Sequence, residues 1–339
     1  MNTFDYKRNS FDYIRLFASL QVLIGHYYLF YKESANGNPI SIMNWFSGVI
    51  ILFTISGFLA CASMEHSQNA LQYIKKRFAR ILPPYYTCII VNALVILVIY
   101  PILPTVKDII IWLITSIFAF HVTPDFLNSY ATGSSNGSLW SIFVILQFYI
   151  LTALFYPIIK KWNQIKHLAL IAVFVCANIG CGYLCRNILS DTLSELLTRT
   201  FIPYLYIFLI GMYLYTFRDK IIPMLAKYWY LILGIYLLGS AFSIQGHLHT
   251  WCYTDPFTGI FVPIITIALA YGFGNHRIKY DFSYGIFLYH FAVMNVLIYL
   301  GVPAASPYSL ILMITVSLIL SAISLFAVEK PLGNKLFQH

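Results

Sequence analysis

Two histidines and three arginines stand in or beside apolar stretches, and their spacing is the first clue to chemistry. His26 and His290 both fall well inside such stretches, at a depth where an ionisable side chain marks function by default. Arg15 precedes His26 by eleven residues, about three helical turns, so the two share a face roughly 16 Å apart along the axis. Ala18, Ser19 and Val22 on the same stripe are small enough to leave a groove. His290 is expected at a similar depth, so that two imidazoles can line one cavity. Arg77 and Arg80 are three residues apart and share a helical face. Such a pair is either a lipid-headgroup anchor or a clamp for a polyanion, because guanidinium forks suit the phosphates of a nucleotide-bearing cofactor. No glycine-rich phosphate loop of the Walker or dinucleotide type competes for that role.

Other features read first as architecture. Ser56-Gly57 inside an apolar run suits close helix packing. Trp140 fits an aromatic belt, while the amide of Gln147, near Tyr149, requires a partner inside the bilayer. His247, His249 and Asp255 form a weak metal pattern, and no metal site is expected. The six cysteines, Cys61, Cys88, Cys176, Cys181, Cys185 and Cys252, read as small core residues, with a Cys185–Cys252 disulfide as a minor alternative.

The elements that must position these residues are membrane helices. Of the 339 residues 60% are hydrophobic and 10% are charged, with a mean hydropathy of +0.75, which excludes an ordinary soluble domain. Ten stretches are long enough to cross a bilayer, at 13–31, 44–63, 82–103, 139–159, 167–186, 198–217, 228–245, 257–274, 282–300 and 307–328. The segment 108–120 is apolar but short, and is expected to be an interfacial or re-entrant outer helix. The net charge of +9 follows topology rather than nucleic acid. With the N-terminus cytoplasmic, 17 of the 21 Lys and Arg residues fall on inner segments, leaving Lys32, Lys107, Arg186 and Arg199 outside. Asp5 and Asp12 flank Lys7-Arg8 and no small-residue cleavage site follows, so the first apolar run is expected to be retained. The expected fold is all-α, a polytopic domain over 1–339 with about ten transmembrane helices and both termini cytoplasmic. Between the third and fourth spans, 121–138 reads as an outer loop, either a solvated connection or a substrate-contacting lid. Pro83-Pro84 is expected to kink or restart the third helix.

Taken in order, the motifs resemble acyltransferase family 3 of the membrane-bound O-acyltransferases. The opening run from Phe11 through Arg15 to His26 is similar to the family's first span. The run from Phe53 through Ser56-Gly57 to Leu59 resembles its second-span motif, and Arg77-Phe78-Ala79-Arg80-Ile81-Leu82-Pro83-Pro84-Tyr85 its arginine-rich motif. Trp140-Ser141-Ile142 with Gln147-Phe148-Tyr149, Ser283 to His290, and Glu329-Lys330-Pro331 complete the set across nearly the whole chain. One departure is that many members carry glutamate just before the Gln-Phe-Tyr triplet, where this chain has Ile145 and Leu146. The hydrolase-like domain that some members append is not seen, so a stand-alone unit is expected.

The resemblance implies transfer of an acyl group, usually acetyl, from cytoplasmic acyl-coenzyme A to a hydroxyl of a cell-envelope polysaccharide or its lipid-linked precursor, at the inner membrane and in contact with its lipid. It implies cofactor contacts at Arg77, Arg80, Tyr85 and Ser56, acceptor contacts at Trp140, Gln147 and Tyr149, and catalysis by His26 with Arg15 and His290. His26 would take the hydroxyl proton or carry the acyl group itself. A membrane transporter is the competing reading, yet none of the 12 acidic residues falls mid-span, where an ion-coupled transporter would more often place one.

Overall fold

The computed structural model of the chain describes residues 5–31, 43, 45–120, 122–242, 255–303 and 307–331. Among them there is no strand. The helices are α1 Phe11–His26, α2 Gly48–Glu65, α3 Ala70–Ile99, α4 Val106–Ile117, α5 Trp140–Ile159, α6 Gln164–Asn187, α7 Asp191–Thr198, α8 Leu205–Thr216, α9 Arg218–Lys227, α10 Trp229–Ala241, α11 Pro256–Gly272, α12 Ser283–Tyr299 and α13 Pro307–Ser324. A π-helical turn, Tyr27–Tyr31, extends α1, and a second, Leu325–Glu329, extends α13.

Helices α2, α3, α5, α6 and Tyr308–Glu329 are long and apolar enough to cross a bilayer, as a membrane protein requires. Four of the anticipated spans take other forms. The stretch 198–217 divides into the end of α7, a turn, and the 12-residue α8. The chain breaks there because Pro203 has no N–H to donate, and because two side chains hold the turn. Gln147 donates to the Arg199 carbonyl (2.9 Å) and accepts from the Phe201 amide (3.0 Å), while Asn178 donates to the Pro203 carbonyl (2.9 Å). The stretch 228–245 begins as α10, which meets α9 at a 71° bend, and α11 and α12 have 17 residues each. Helix α3, by contrast, does not restart at Pro83-Pro84 but runs through them for 30 residues. Next to the prolines, the Thr87 and Tyr284 hydroxyls donate to the Pro83 and Ile81 carbonyls (3.0 and 2.8 Å).

Helix α4 is about 18 Å long at 1.5 Å per residue, too short for a crossing. Thr105 and Asp108 close a capping box at its start, and the hydrogen bonds from Thr105 hold the Asp108 carboxyl below its ordinary pKa. Only Trp112 and Ser116 are buried along it, while Ile110, Leu113 and Ile114 are exposed, an apolar surface suited to lipid.

The described chain divides into two compact units interleaved in sequence, Met1–Ala18 with Trp45–Ile74 and Val144–Lys279, and Ser19–Asn44 with Lys75–Phe143 and Tyr280–His339. In the first, α2 and α8 touch backbone to backbone. A Cβ at Gly57 would overlap the Phe208 carbonyl, and one at Gly211 would overlap that of Thr54. Glu65 at the end of α2 accepts the hydroxyls of Tyr156 and Tyr215, each at 2.8 Å. In the second unit, Gly285 lets α12 lie against Ser321 of α13, whose hydroxyl donates to the Phe282 carbonyl (2.7 Å). Cys61, Cys88, Cys181 and Cys185 are buried free thiols and Cys176 is an exposed one. Cys252, and with it the Cys185–Cys252 pairing, lies outside the described residues.

Candidate active site

The two histidines meet in the second unit. His26, the last residue of α1, lies 2.8 Å through Nδ1 from Nε2 of His290, and the rings stack with centroids 5.1 Å apart and planes 9° from parallel. His290, on α12, is fully buried, and its Nδ1 lies 3.1 Å from the Ile286 carbonyl. A carbonyl only accepts, so Nδ1 of His290 carries a proton, and in the neutral ring Nε2 is the acceptor. His26 therefore donates from Nδ1, which leaves its own Nε2 with the lone pair. His26 is only half-buried. Its imidazole is thus fixed in orientation and tautomer by a second imidazole, itself fixed by the backbone, as a general base must be.

Phe291 stands edge-on to His26 at 5.2 Å and to Phe30 at 5.6 Å. Behind it sits the 132–138 stretch, which is not a solvated connection. Asn136 donates to the Leu288 carbonyl (2.9 Å) and accepts from the Ser138 hydroxyl (2.7 Å). Asn295 donates to the Ser134 carbonyl (2.6 Å) and accepts from Thr132 (2.8 Å), and Asn92 donates to the Ser135 carbonyl (3.0 Å). Gly137 lies so close that a Cβ there would stand 2.7 Å from the Phe291 ring. Asn136 and Asn295 are fully buried. Their amides replace the water that a polar segment would otherwise need, and fix α12 at the level of His290. Sequence reasoning missed Asn92, Asn136, Phe291 and Asn295. The only available signal was the run of small polar residues ending in Asn136-Gly137-Ser138.

Arg77 and Arg80 lie on α3 in the same unit, with Arg77 buried at 8% exposure and Arg80 exposed. The two forks therefore do not present alike. Glu329 lies close enough to Arg80 to interact with its charge. Cys88, eight residues beyond Arg80, donates its thiol to the Leu288 carbonyl (3.2 Å). The arginine end of α3 thus lies about 12 Å along the axis from the level of the histidine pair.

The remaining predicted residues have other surroundings. In the first unit Arg15 is ion-paired to Asp12 at 2.6 Å, and Asp12 also accepts from the Ile278 amide (3.3 Å). Ser56 is half-buried beside the close contact at Gly57. Tyr149 is buried edge-on to Tyr73 and Phe208, and Gln147 spends its amide on the turn before α8. In the second unit the buried Tyr85 donates to the Ser116 carbonyl (3.2 Å), and Trp140 opens α5, half-buried. Asp255 caps α11 through the Thr258 amide (2.9 Å), while His247 and His249 lie outside the described residues. Among the described residues no group of three metal-ligating side chains gathers.

Comparison with known proteins adds to this geometry. Residues 8–328 match the family model described as acyltransferase domain. The chain is 28% identical over 316 residues to Nodulation protein 10 of Rhizobium leguminosarum bv. viciae, covering 87% of this chain and 85% of that protein. It is 28% identical over 346 residues to the O-acetyl transferase of Shigella phage Sf6, covering 96% of each. No solved structure matches.

Proposed function

Because this chain belongs to the acyltransferase domain family and is an O-acyltransferase, we propose that it moves an acetyl group from acetyl-coenzyme A to a hydroxyl of an envelope polysaccharide or its lipid-linked precursor. The observation that carries this reading is the hydrogen bond from His26 to His290, which leaves Nε2 of His26 as the proton acceptor. As the acceptor oxygen attacks the thioester carbon, its proton passes to Nε2. The carbon–sulfur bond breaks when the tetrahedral intermediate collapses, and the proton returns to the departing coenzyme thiolate. His290 holds the imidazolium by accepting from Nδ1 and is a positioning residue. The relative named O-acetyl transferase supports acetyl as the group moved. The 17-to-4 distribution of basic residues supports cytoplasmic termini and an inner-membrane location, with the whole chain acting as one catalytic domain and α4 at the outer interface.

Mass spectrometry of envelope polysaccharides tests the function. Cells expressing the chain should carry an added acetyl mass on a sugar, and cells without it should not. An unchanged glycan together with hydrolysis of the thioester alone would overturn the acceptor assignment.

On this reading the arginine end of α3 receives the coenzyme's phosphates, with Arg80 as the accessible fork. The Arg80→Ala variant should then bind coenzyme A about tenfold or more weakly, since a charge-assisted contact contributes about 1.5–3 kcal/mol. Titration calorimetry on purified protein reads this directly, and undiminished affinity would reject the clamp.

A further inference from the structure

A cavity of about 330 Å³ lies in the first unit between α5, α6 and α8, and none of its lining residues has a catalytic or binding role above. Its walls include Phe148, Leu151 and Phe155 of α5, Phe174 of α6 and Phe208 of α8, with Trp162 just beyond the end of α5. Thr152 is the only lining residue with a side-chain hydroxyl, and that hydroxyl is spent on the Phe148 carbonyl at 2.8 Å. The cavity therefore offers nothing to hold a sugar, a nucleotide or a metal. It suits a saturated or monounsaturated chain, whose burial is favourable without any hydrogen bond.

Shape and charge define the rest of the ligand. The lining runs along α5 from Phe148 to Ile159, about 17 Å at 1.5 Å per residue, which exceeds half of the ~30 Å hydrocarbon core. It reaches Trp162, an indole of the kind that sits at headgroup level. At that end the turn between α5 and α6 carries Lys160 and Lys161, and the first turn of α6 carries Lys166, all exposed. We propose that this groove is a binding site for an anionic glycerophospholipid, with one acyl chain lying along α5 and the phosphate resting on Lys160 and Lys161. The carbonyl of Tyr156 receives the Lys160 amide (2.9 Å) and that of Ile158 the Lys161 amide (3.2 Å). The turn is thus ordered by its backbone, with both lysines on the exposed surface where a headgroup would lie.

Native mass spectrometry of the full chain, delipidated in detergent and titrated with palmitoyl-oleoyl phosphatidylglycerol, tests the site. The expected result is a one-to-one adduct that survives dilution, with the phosphatidylethanolamine of the same chains bound at least tenfold more weakly. Two variants separate tail from head. Leu151→Trp fills the groove and should abolish the adduct at an unchanged melting temperature. Lys160→Gln with Lys161→Gln should leave the fold intact and reduce the preference for the anionic lipid about tenfold, a result that decides the matter if Leu151→Trp does not fold. Undiminished phosphatidylglycerol binding by the lysine variant, or equal binding of the two headgroups by the parent, would overturn the proposal. So would displacement of phosphatidylglycerol by a tenfold lower concentration of a polyprenyl phosphate, which would assign the groove to a carrier lipid.

Discussion

On the proposed mechanism, replacing His26 with Gln should yield a protein that inserts, folds and binds coenzyme A as the parent does, but transfers acetyl at least 100-fold more slowly. The amide of Gln can reproduce the donation to Nε2 of His290 that His26 makes through Nδ1 at 2.8 Å, so packing at the end of α1 is retained. It has no nitrogen able to accept a proton, and general-base help contributes about a hundred- to ten-thousand-fold. His290→Gln separates the roles. It leaves the base in place but weakens its orientation, so transfer should fall less than in His26→Gln. The acidic limb of the pH–rate profile should survive in His290→Gln and vanish in His26→Gln. Rates are best measured with labelled acetyl-coenzyme A and membranes containing the acceptor glycan. A correctly inserted His26→Gln protein working within tenfold of the parent would remove His26 from the mechanism.

The sequence put both imidazoles at one level, where the structure brings them together, because level depends only on counting along an apolar run. Their meeting depends on the rotation of α1 and α12 about their own axes, which hydropathy does not encode when a helix is apolar on every side. The loop 121–138, of which 132–138 packs against α12, is open to two readings for a related reason. Composition makes Ser, Thr, Asn and Gly look solvated, yet Asn136 and Asn295 bury their amides against carbonyls of the neighbouring helix and loop. Sequence could announce that such amides need partners without saying which. Gln147 followed the same course, since a partner was required and the turn before α8 supplied it. That turn also shows why a window of apolar residues overestimated the length of the helix there. Hydropathy is indifferent to whether Arg199 to Tyr204 are helical, whereas Pro203 and two side-chain caps are not. The Arg15–Asp12 pair was legible in principle, since residues three apart on a helix are neighbours.

Enlarging Gly57 should abolish folding, the largest stability effect expected anywhere in the described chain. With no hydrophobic gain from helix association inside lipid, α2 and α8 hold together through close packing. Their approach is reciprocal, because Gly57 faces the Phe208 carbonyl while Gly211 faces the Thr54 carbonyl and the Phe58 amide. In each case a Cβ meets backbone of a buried helix, which cannot swing aside as the tip of a side chain could. Gly57→Leu must therefore push the two helices apart along their length, which costs well over the 1–3 kcal/mol typical of overpacking. It would also move Phe208 away from Phe148, whose ring lies 4.6 Å from it. Gly180 of α6 is the control, since a Cβ there meets nothing within 4 Å. Gly180→Ala should stabilise by about 0.5–1 kcal/mol through helix propensity alone. Because Gly57 and Gly211 relieve the same contact, the double Ala variant should cost less than the two single changes added together. Thermal melts followed by size-exclusion chromatography in detergent report all of these. A Gly57→Leu protein that elutes as a single species and melts within a few degrees of the parent would show that α2 and α8 do not pack through these glycines.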